Sequence, residues 1–369
     1  MRSLSDTLAR LRRLPRGLPL HSPTSKRLRA LGGFGSNPGQ LNAWIYVPES
    51  AGPGAALVVV LHGCTQNAAS YDESSGWSRL AEQHGFLLLY PEQQRLNNPN
   101  LCFNWFSPDD AAREKGEALS IRQMVAGVQG RHGTDPQRVF VTGLSAGGAM
   151  AAAMLATYPE VFAGGAVIAG LPFGVASSVP EAFDRMRGHG GPRPEALANL
   201  VSAASPHTGK WPTLSVWHGS ADQTVDQSNA SALVEQWRSL HGASKKPARS
   251  DLVHGHPHRV WVDSRGREVI EEYSIAGLGH GTPLDTRGTR HGEQAAPFML
   301  EAGISSTRLI ARFWSIVPDQ AGDRRSATPR ARPQQPSDAA EASGGTAWSG
   351  PEAIAQTIER ALRSAGLMR

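Results

Sequence analysis

The stretch RVFVTGLSAGGAM, residues 138–150, decides how the rest of the chain is read. An apolar, β-branched run at 138–143 passes straight into Gly143-Leu144-Ser145-Ala146-Gly147-Gly148, and a segment of small residues continues to Tyr158. A serine on a tight strand-to-helix turn stands clear of the sheet with its hydroxyl exposed, and flanking glycines tolerate the crowded backbone. The helix start aims free amides and the positive end of its dipole at the same point. G-x-S-x-G by itself is a common chance match. With a strand before it and a helix after it, the pattern predicts Ser145 as a nucleophile.

Similar apolar runs lie on both sides. LNAWIYV (41–47), AALVVVLHG (55–63) and FLLLYP (86–91) precede it, and GGAVIAG (164–170), TLSVWHG (213–219), HRVWVDS (258–264) and EVIEEYSI (268–275) follow. Helix-length segments separate several of them, notably 117–130 and 149–158. Buried strands alternating with helices predict an α/β fold, a mainly parallel central sheet with helices on both faces. Composition divides the chain further: a basic N-terminal arm at 1–40, a catalytic body at 41–316, a linker at 317–348 and an amphipathic helix at 349–369. Within the body, 171–212 is rich in Gly, Pro, Ser and His and reads as a cap-like excursion. The linker has almost no large apolar groups and is expected to be disordered.

A nucleophilic serine needs a base, and the base needs an orienting acid. On a sheet of this kind they follow in the order Ser, acid, His, each on a loop at the C-terminal end of a strand. After TLSVWHG comes Asp222, with Asp226 one turn later as a helix-start alternative. After EVIEEYSI comes His280, held between Gly279 and Gly281. His291 lies in an apparent insertion, and His218 still belongs to its strand. The oxyanion formed during attack needs amide donors, expected from Ala146 and from Cys64 in the loop after AALVVVL. His62 precedes the acid in the order and reads as structural.

The 369 residues are 40% hydrophobic and 19% charged, which excludes a wholly disordered chain. No apolar run approaches the roughly 18 residues of a membrane span, so no integral membrane contact is expected. The net charge of +5 belongs to the arm: residues 1–40 hold eight basic and one acidic residue, whereas 41–316 hold 22 basic against 25 acidic. A nucleic-acid-binding body is thereby excluded. The first 20 residues lack the continuous apolar core of an export signal, which points to the cytoplasm.

LHGCTQ (61–66), YPEQ (90–93), Cys102 with NWF (104–106), DPQRVFVTGLSAGGAM (135–150), HGSADQTV (218–225) and GLGHGTP (277–283) occur in that order. As a set they resemble the poly(3-hydroxybutyrate) depolymerase family of esterases over about residues 40–315. The resemblance implies an α/β-hydrolase fold, hydrolysis of an oligomeric or polymeric ester, and Ser145, Asp222 and His280 as the triad, with no cofactor or metal. It also implies export, against the missing signal. The family includes feruloyl and acetylxylan esterases, which stand as the alternative substrate classes. Its secreted polymer-degrading members carry a signal and extra binding modules; without them here, soluble oligomers or small esters are expected. The two cysteines, Cys64 and Cys102, flank the site in these motifs. Bonded, they close a loop of about 40 residues, a stabilisation of about 4 kcal/mol in the chain-entropy model. Free buried thiols are the other reading, and both stand at this point.

Lesser features have plainer readings. Asn104, Trp105 and Phe106 are candidates for an acyl or aryl pocket, against ordinary packing of an aromatic loop. His254, His256 and His258 alternate before a strand with no acidic or Cys partner nearby in sequence, which reads as a solvated turn rather than a metal site. Asp109, Asp110, Glu114 and Glu117 read as a solvated acidic run. The rival functions are a serine peptidase or acyltransferase on the same fold, and a polymer-granule or surface-binding protein with a relict site.

Overall fold

The computed structural model describes residues 27–287 and 292–318. Most of the N-terminal arm, His291, nearly all of the linker and the whole tail helix therefore lie outside the described residues.

The run LVVVL forms β3 (Leu57–Leu61), buried at every position. Its alternate side chains serve two cores. Leu57, Val59 and Leu61 pack with Ile121, Met124 and Val128 of the helix Gly116–His132. Val58 and Val60 pack with Trp77, Leu80 and Trp314 on the opposite face. A strand covered on both sides cannot alternate polar with apolar, so the sequence shows a continuous apolar run.

The remaining strands are β1 (Arg29–Ala30), β2 (Asn42–Tyr46), β4 (Leu87–Glu92), β5 (Val139–Leu144), β6 (Gly164–Ile168), β7 (Thr213–Gly219), β8 (Arg249–Val253), β9 (His256–Val262) and β10 (Glu268–Ile275). They form one sheet of ten strands in the order β1-β2-β4-β3-β5-β6-β7-β10-β9-β8. The central six, from β4 to β10, are parallel. Both margins are antiparallel. β11 (Thr282–Leu284) and β12 (Met299–Glu301) form a separate pair. No helix among the described residues is long and apolar enough to cross a membrane.

One boundary differs from the sequence reading. Residues from Leu28 onward, assigned to the arm on charge, belong to the body: Leu28 and Leu31 are buried, and β1 pairs with β2. The excursion at 171–212 holds two helices, Val179–Met186 and Pro194–Ser202.

The histidine-rich segment also differs. His254 and Gly255, both with positive φ, make the turn of a β8–β9 hairpin. The turn delivers His258 to Asp251 on β8, and the pairing of β9 with β10 delivers it to Glu271. Its Nδ1 lies 2.9 Å from Asp251 Oδ1 and its Nε2 3.2 Å from Glu271 Oε2. Both nitrogens face carboxylate oxygens, an arrangement that favours the doubly protonated ring. Burial pushes the His258 pKa down, but Glu271 and then Asp251 outweigh it, and the net direction is up. A raised folded-state pKa contributes stability below the unfolded value, lost as pH rises through the folded value. The melting-temperature advantage of the native protein over His258→Gln should therefore be largest below the ordinary histidine value of about 6.5 and shrink as pH rises above it. A gap independent of pH would contradict the ion triad.

Candidate active site

Ser145 sits between β5 and the helix Ala146–Thr157 with φ 56° and ψ −118°. A non-glycine residue with positive φ at a turn this tight is strained, and its neighbours must hold it there. Its N–H donates to Ile168 O at 2.8 Å, tying the turn to β6. The helix runs back across the sheet at very short range, and two glycines permit this. A Cβ on Gly143 would meet Gly147 O at 2.3 Å, and one on Gly147 would meet the Leu61 and His62 carbonyl oxygens at 2.4 Å. Every residue of that helix is buried, which explains its run of alanines.

The loops after β7 and β10 converge on this point. His280 Nε2 lies 2.9 Å from Ser145 Oγ, and its Nδ1 lies 2.7 Å from Asp222 Oδ2. The Asp222 side chain is fully buried. Its other oxygen accepts from the backbone N–H of Thr224 at 2.8 Å and of Val225 at 2.9 Å. Burial alone would raise the Asp222 pKa, but the His280 hydrogen bond and charge and the Val225 amide hold it below the usual carboxylate range. An ionised carboxylate on Nδ1 fixes the imidazole proton there and leaves Nε2 free to take one from the serine. His218, at the end of β7, lies beneath the acid, 3.5 Å from Asp222 Oδ2 and 2.8 Å from Val225 O through the same Nε2. Asp226 is engaged elsewhere: its Oδ1 accepts from Ser228 N at 2.9 Å, where the helix Ser228–Arg238 opens.

Cys64 and Ala146 both line the cleft beside Ser145. Neither backbone amide has a hydrogen-bond partner among the described residues. Cys64 is joined to Cys102 by a disulfide, Cα to Cα 4.2 Å, linking the loop after β3 to the loop after β4. Of the three pocket candidates, Trp105 and Phe106 line the cleft and Asn104 does not. Asn104 instead braces the wall: its Oδ1 accepts from Asn98 Nδ2 at 3.0 Å, and its backbone N–H donates to Glu117 Oε2 at 2.9 Å.

Glu117 is the clearest departure from the sequence reading of that loop. It is buried rather than solvated, and burial followed by Asp110 raises its pKa to about 8. The opposite wall comes from the excursion, through Val179, Ala182, Phe183 and Met186. Their spacing is a helical stripe visible in the sequence, although nothing local says what it faces. Phe298, preceding β12, completes the lining.

Residues 41–262 match the family model described as Esterase PHB depolymerase. The chain belongs to that family. Ser145 and Asp222 fall inside the matched span, and His280 follows it. The poly(3-hydroxyalkanoate) depolymerase C of Paucimonas lemoignei is 44% identical over 302 residues, covering 81% of this chain and 73% of that protein. The feruloyl esterase B of Talaromyces stipitatus is 32% identical over 267 residues, covering 70% of this chain and 73% of that protein. The acetyl xylan esterase from Aspergillus awamori superposes with a TM-score of 0.67 at 25% identity, over 79% of this chain and 99% of that one. The chain is thus a serine-type carboxylic ester hydrolase with an α/β-hydrolase fold.

The close approach at the elbow has a direct test in this esterase. Gly147→Ala should destabilise the fold by about 1–3 kcal/mol through overpacking against backbone. It should also lower turnover, because the helix start carrying the Ala146 amide must shift. Native stability and turnover in this variant, by thermal melting and a p-nitrophenyl ester assay, would contradict the packing described.

Proposed function

We propose that the esterase hydrolyses hydroxyalkanoate oligomers and related short-acyl esters through an acyl-enzyme on Ser145. The observation that carries the reading is the continuous relay Ser145 Oγ, His280, Asp222, with bonds of 2.9 and 2.7 Å, opening into an apolar cleft. In this mechanism Ser145 Oγ attacks the ester carbonyl as His280 Nε2 takes its proton. Asp222 stabilises the resulting imidazolium. The Cys64 and Ala146 amides receive the oxyanion. His280 then delivers the proton to the departing alcohol, and water repeats the sequence on the acyl-enzyme.

The lining favours a neutral substrate. Apart from Ser145, His280 and the disulfide it offers aromatic and aliphatic side chains with Asn98, Asn100 and Thr224, and no Lys, Arg, Asp or Glu among the described residues. Asn98 is occupied in bracing its own loop, accepting from the Asn100 and Cys102 amides. A hydroxyalkanoate chain presents alkyl branches between ester groups, which suits such walls. The relative with the higher identity, a poly(3-hydroxyalkanoate) depolymerase, supports the same class. A feruloyl ester is the second reading, favoured by the aromatic lining of Trp105, Phe106, Phe183 and Phe298.

Two measurements follow. Asp222→Asn should lower kcat by about four orders of magnitude with the fold intact, whereas Asp226→Asn should leave most activity. The reverse ranking would move the acid. Assayed on 3-hydroxybutyrate oligomers, polymer film, p-nitrophenyl esters and methyl ferulate, with Ser145→Ala as blank, the protein should release monomer from the oligomers. Turnover confined to methyl ferulate would replace the hydroxyalkanoate reading with the aryl one.

A further inference from the structure

We propose that Asn100 is a specificity-determining residue, whose carboxamide donates a hydrogen bond to the ester carbonyl next along the acyl chain from the one under attack. This rests on the hydroxyalkanoate reading above, because a chain of hydroxyacyl units carries such a carbonyl and a simple acyl ester does not. The hydroxyl and carboxamide side chains of the cleft belong to Asn98, Asn100, Ser145 and Thr224. Ser145 is the proposed nucleophile. Asn98 is consumed internally: its Nδ2 donates to Asn104 Oδ1 at 3.0 Å, and its Oδ1 accepts from the Asn100 and Cys102 amides. The Asn100 carboxamide and the Thr224 hydroxyl are left without a hydrogen-bond partner among the described residues.

Their places in the sheet separate the two. Ser145 follows β5, and the strand order around it is β4-β3-β5-β6-β7-β10. The loops after β7 and β10, with Asp222, Thr224 and His280, lie on one side of the serine. The loops after β3 and β4, with Cys64 and Asn100, lie on the other. The departing alcohol takes its proton from His280 Nε2 and so leaves on the β7–β10 side, next to Thr224. The acyl group stays on Ser145 and extends away from the base, towards Asn100. The Asn100 backbone is already committed there. Its N–H donates to Asn98 Oδ1 at 3.0 Å, and its carbonyl accepts from the Thr65 N–H at 2.7 Å, one residue from Cys64. Two residues on, Cys102 is bonded to Cys64. Asn100 is thus held in one frame with the Cys64 amide, and only its side chain is left to meet substrate. An ester carbonyl accepts and cannot donate, so its match is the NH2 of the carboxamide. A few polar groups in an apolar cleft fix orientation, and one left unpaired penalises a substrate that lacks the matching atom.

The test measures kcat/KM on the p-nitrophenyl esters of butyrate, 3-hydroxybutyrate and 3-acetoxybutyrate, which share one leaving group; only the last carries the second ester carbonyl. The native protein is compared with Asn100→Leu, which removes both polar atoms, and Asn100→Asp, which keeps the shape and loses the NH2 donor. The ratio of 3-acetoxybutyrate to butyrate is independent of the folded fraction of each preparation. Comparing that ratio between native and variant also cancels the different intrinsic reactivity of the two esters. It should fall by about threefold to tenfold in both variants, the loss of one hydrogen bond at a half-buried site. The ratio of 3-hydroxybutyrate to butyrate should change by less than about twofold. An unchanged acetoxy ratio, or an equal fall in the hydroxy ratio, would overturn the proposal. So would a ratio that falls in Trp105→Phe and holds in both Asn100 variants, which would move the contact to the indole N–H. Monomer release from 3-hydroxybutyrate oligomers is followed alongside. Release with an unchanged ratio would defeat the Asn100 contact alone, whereas a fallen ratio without release would uphold the contact and defeat the oligomer reading.

Discussion

Ser145 is held at a φ of 56°, in a conformation that costs a residue with a side chain about 1–3 kcal/mol. The surroundings enforce it. β5 and the helix Ala146–Thr157 must meet at a turn too sharp for ordinary dihedrals, with Gly143 against Gly147 and Gly147 against the carbonyls of Leu61 and His62. The same contacts bring the end of β3 beside the helix start, so two free amides flank one hydroxyl. Relaxing the turn would separate the Ser145 hydroxyl from these amides and let the helix rise off the sheet. Parallel pairing of β5 with β3 and β6 keeps it closed.

Around this point the protein separates charge by burial and partner. Asp222 remains ionised because two backbone amides and His280 meet its oxygens inside the fold. Glu117, equally buried but beside Asp110, is pushed towards its neutral form and serves as a brace for the pocket wall. His62 and His218 are both driven towards neutrality by burial. Of these four titratable groups three are driven towards neutrality, and Asp222 alone is held as a charge, beside His280. Two sets of contacts hold the loop after β3, the Cys64–Cys102 disulfide on one side and the His62–Gln93–Glu117 chain on the other.

The legible part of the sequence was the part whose physics is local. A strand, a glycine-flanked serine and a small-residue helix are contiguous, so RVFVTGLSAGGAM announces its own geometry. Asp222 and His280 could be found because each follows a recognisable strand, and the order of strands limits which loops meet. Side-chain direction on loops was not legible. Asn104 and Trp105 are neighbours, yet one braces the wall and the other lines it, a difference set by Asn98 and Glu117 from elsewhere in the chain. Glu117 sits in an acidic run that looks solvated until the helix Gly116–His132 is packed against the sheet. The partners of His258 became visible only through pairing, because β9 lies between β8, which carries Asp251, and β10, which carries Glu271.

The proposed mechanism requires a covalent acyl-enzyme on Ser145, beside an orienting His280 and Asp222. Mass spectrometry of the intact protein after treatment with a p-nitrophenyl phosphonate ester, followed by peptide mapping, addresses it without reference to any natural substrate. One adduct per chain is expected, located on Ser145, with activity lost in proportion to labelling. An adduct at another residue, or full labelling with activity retained, would contradict it.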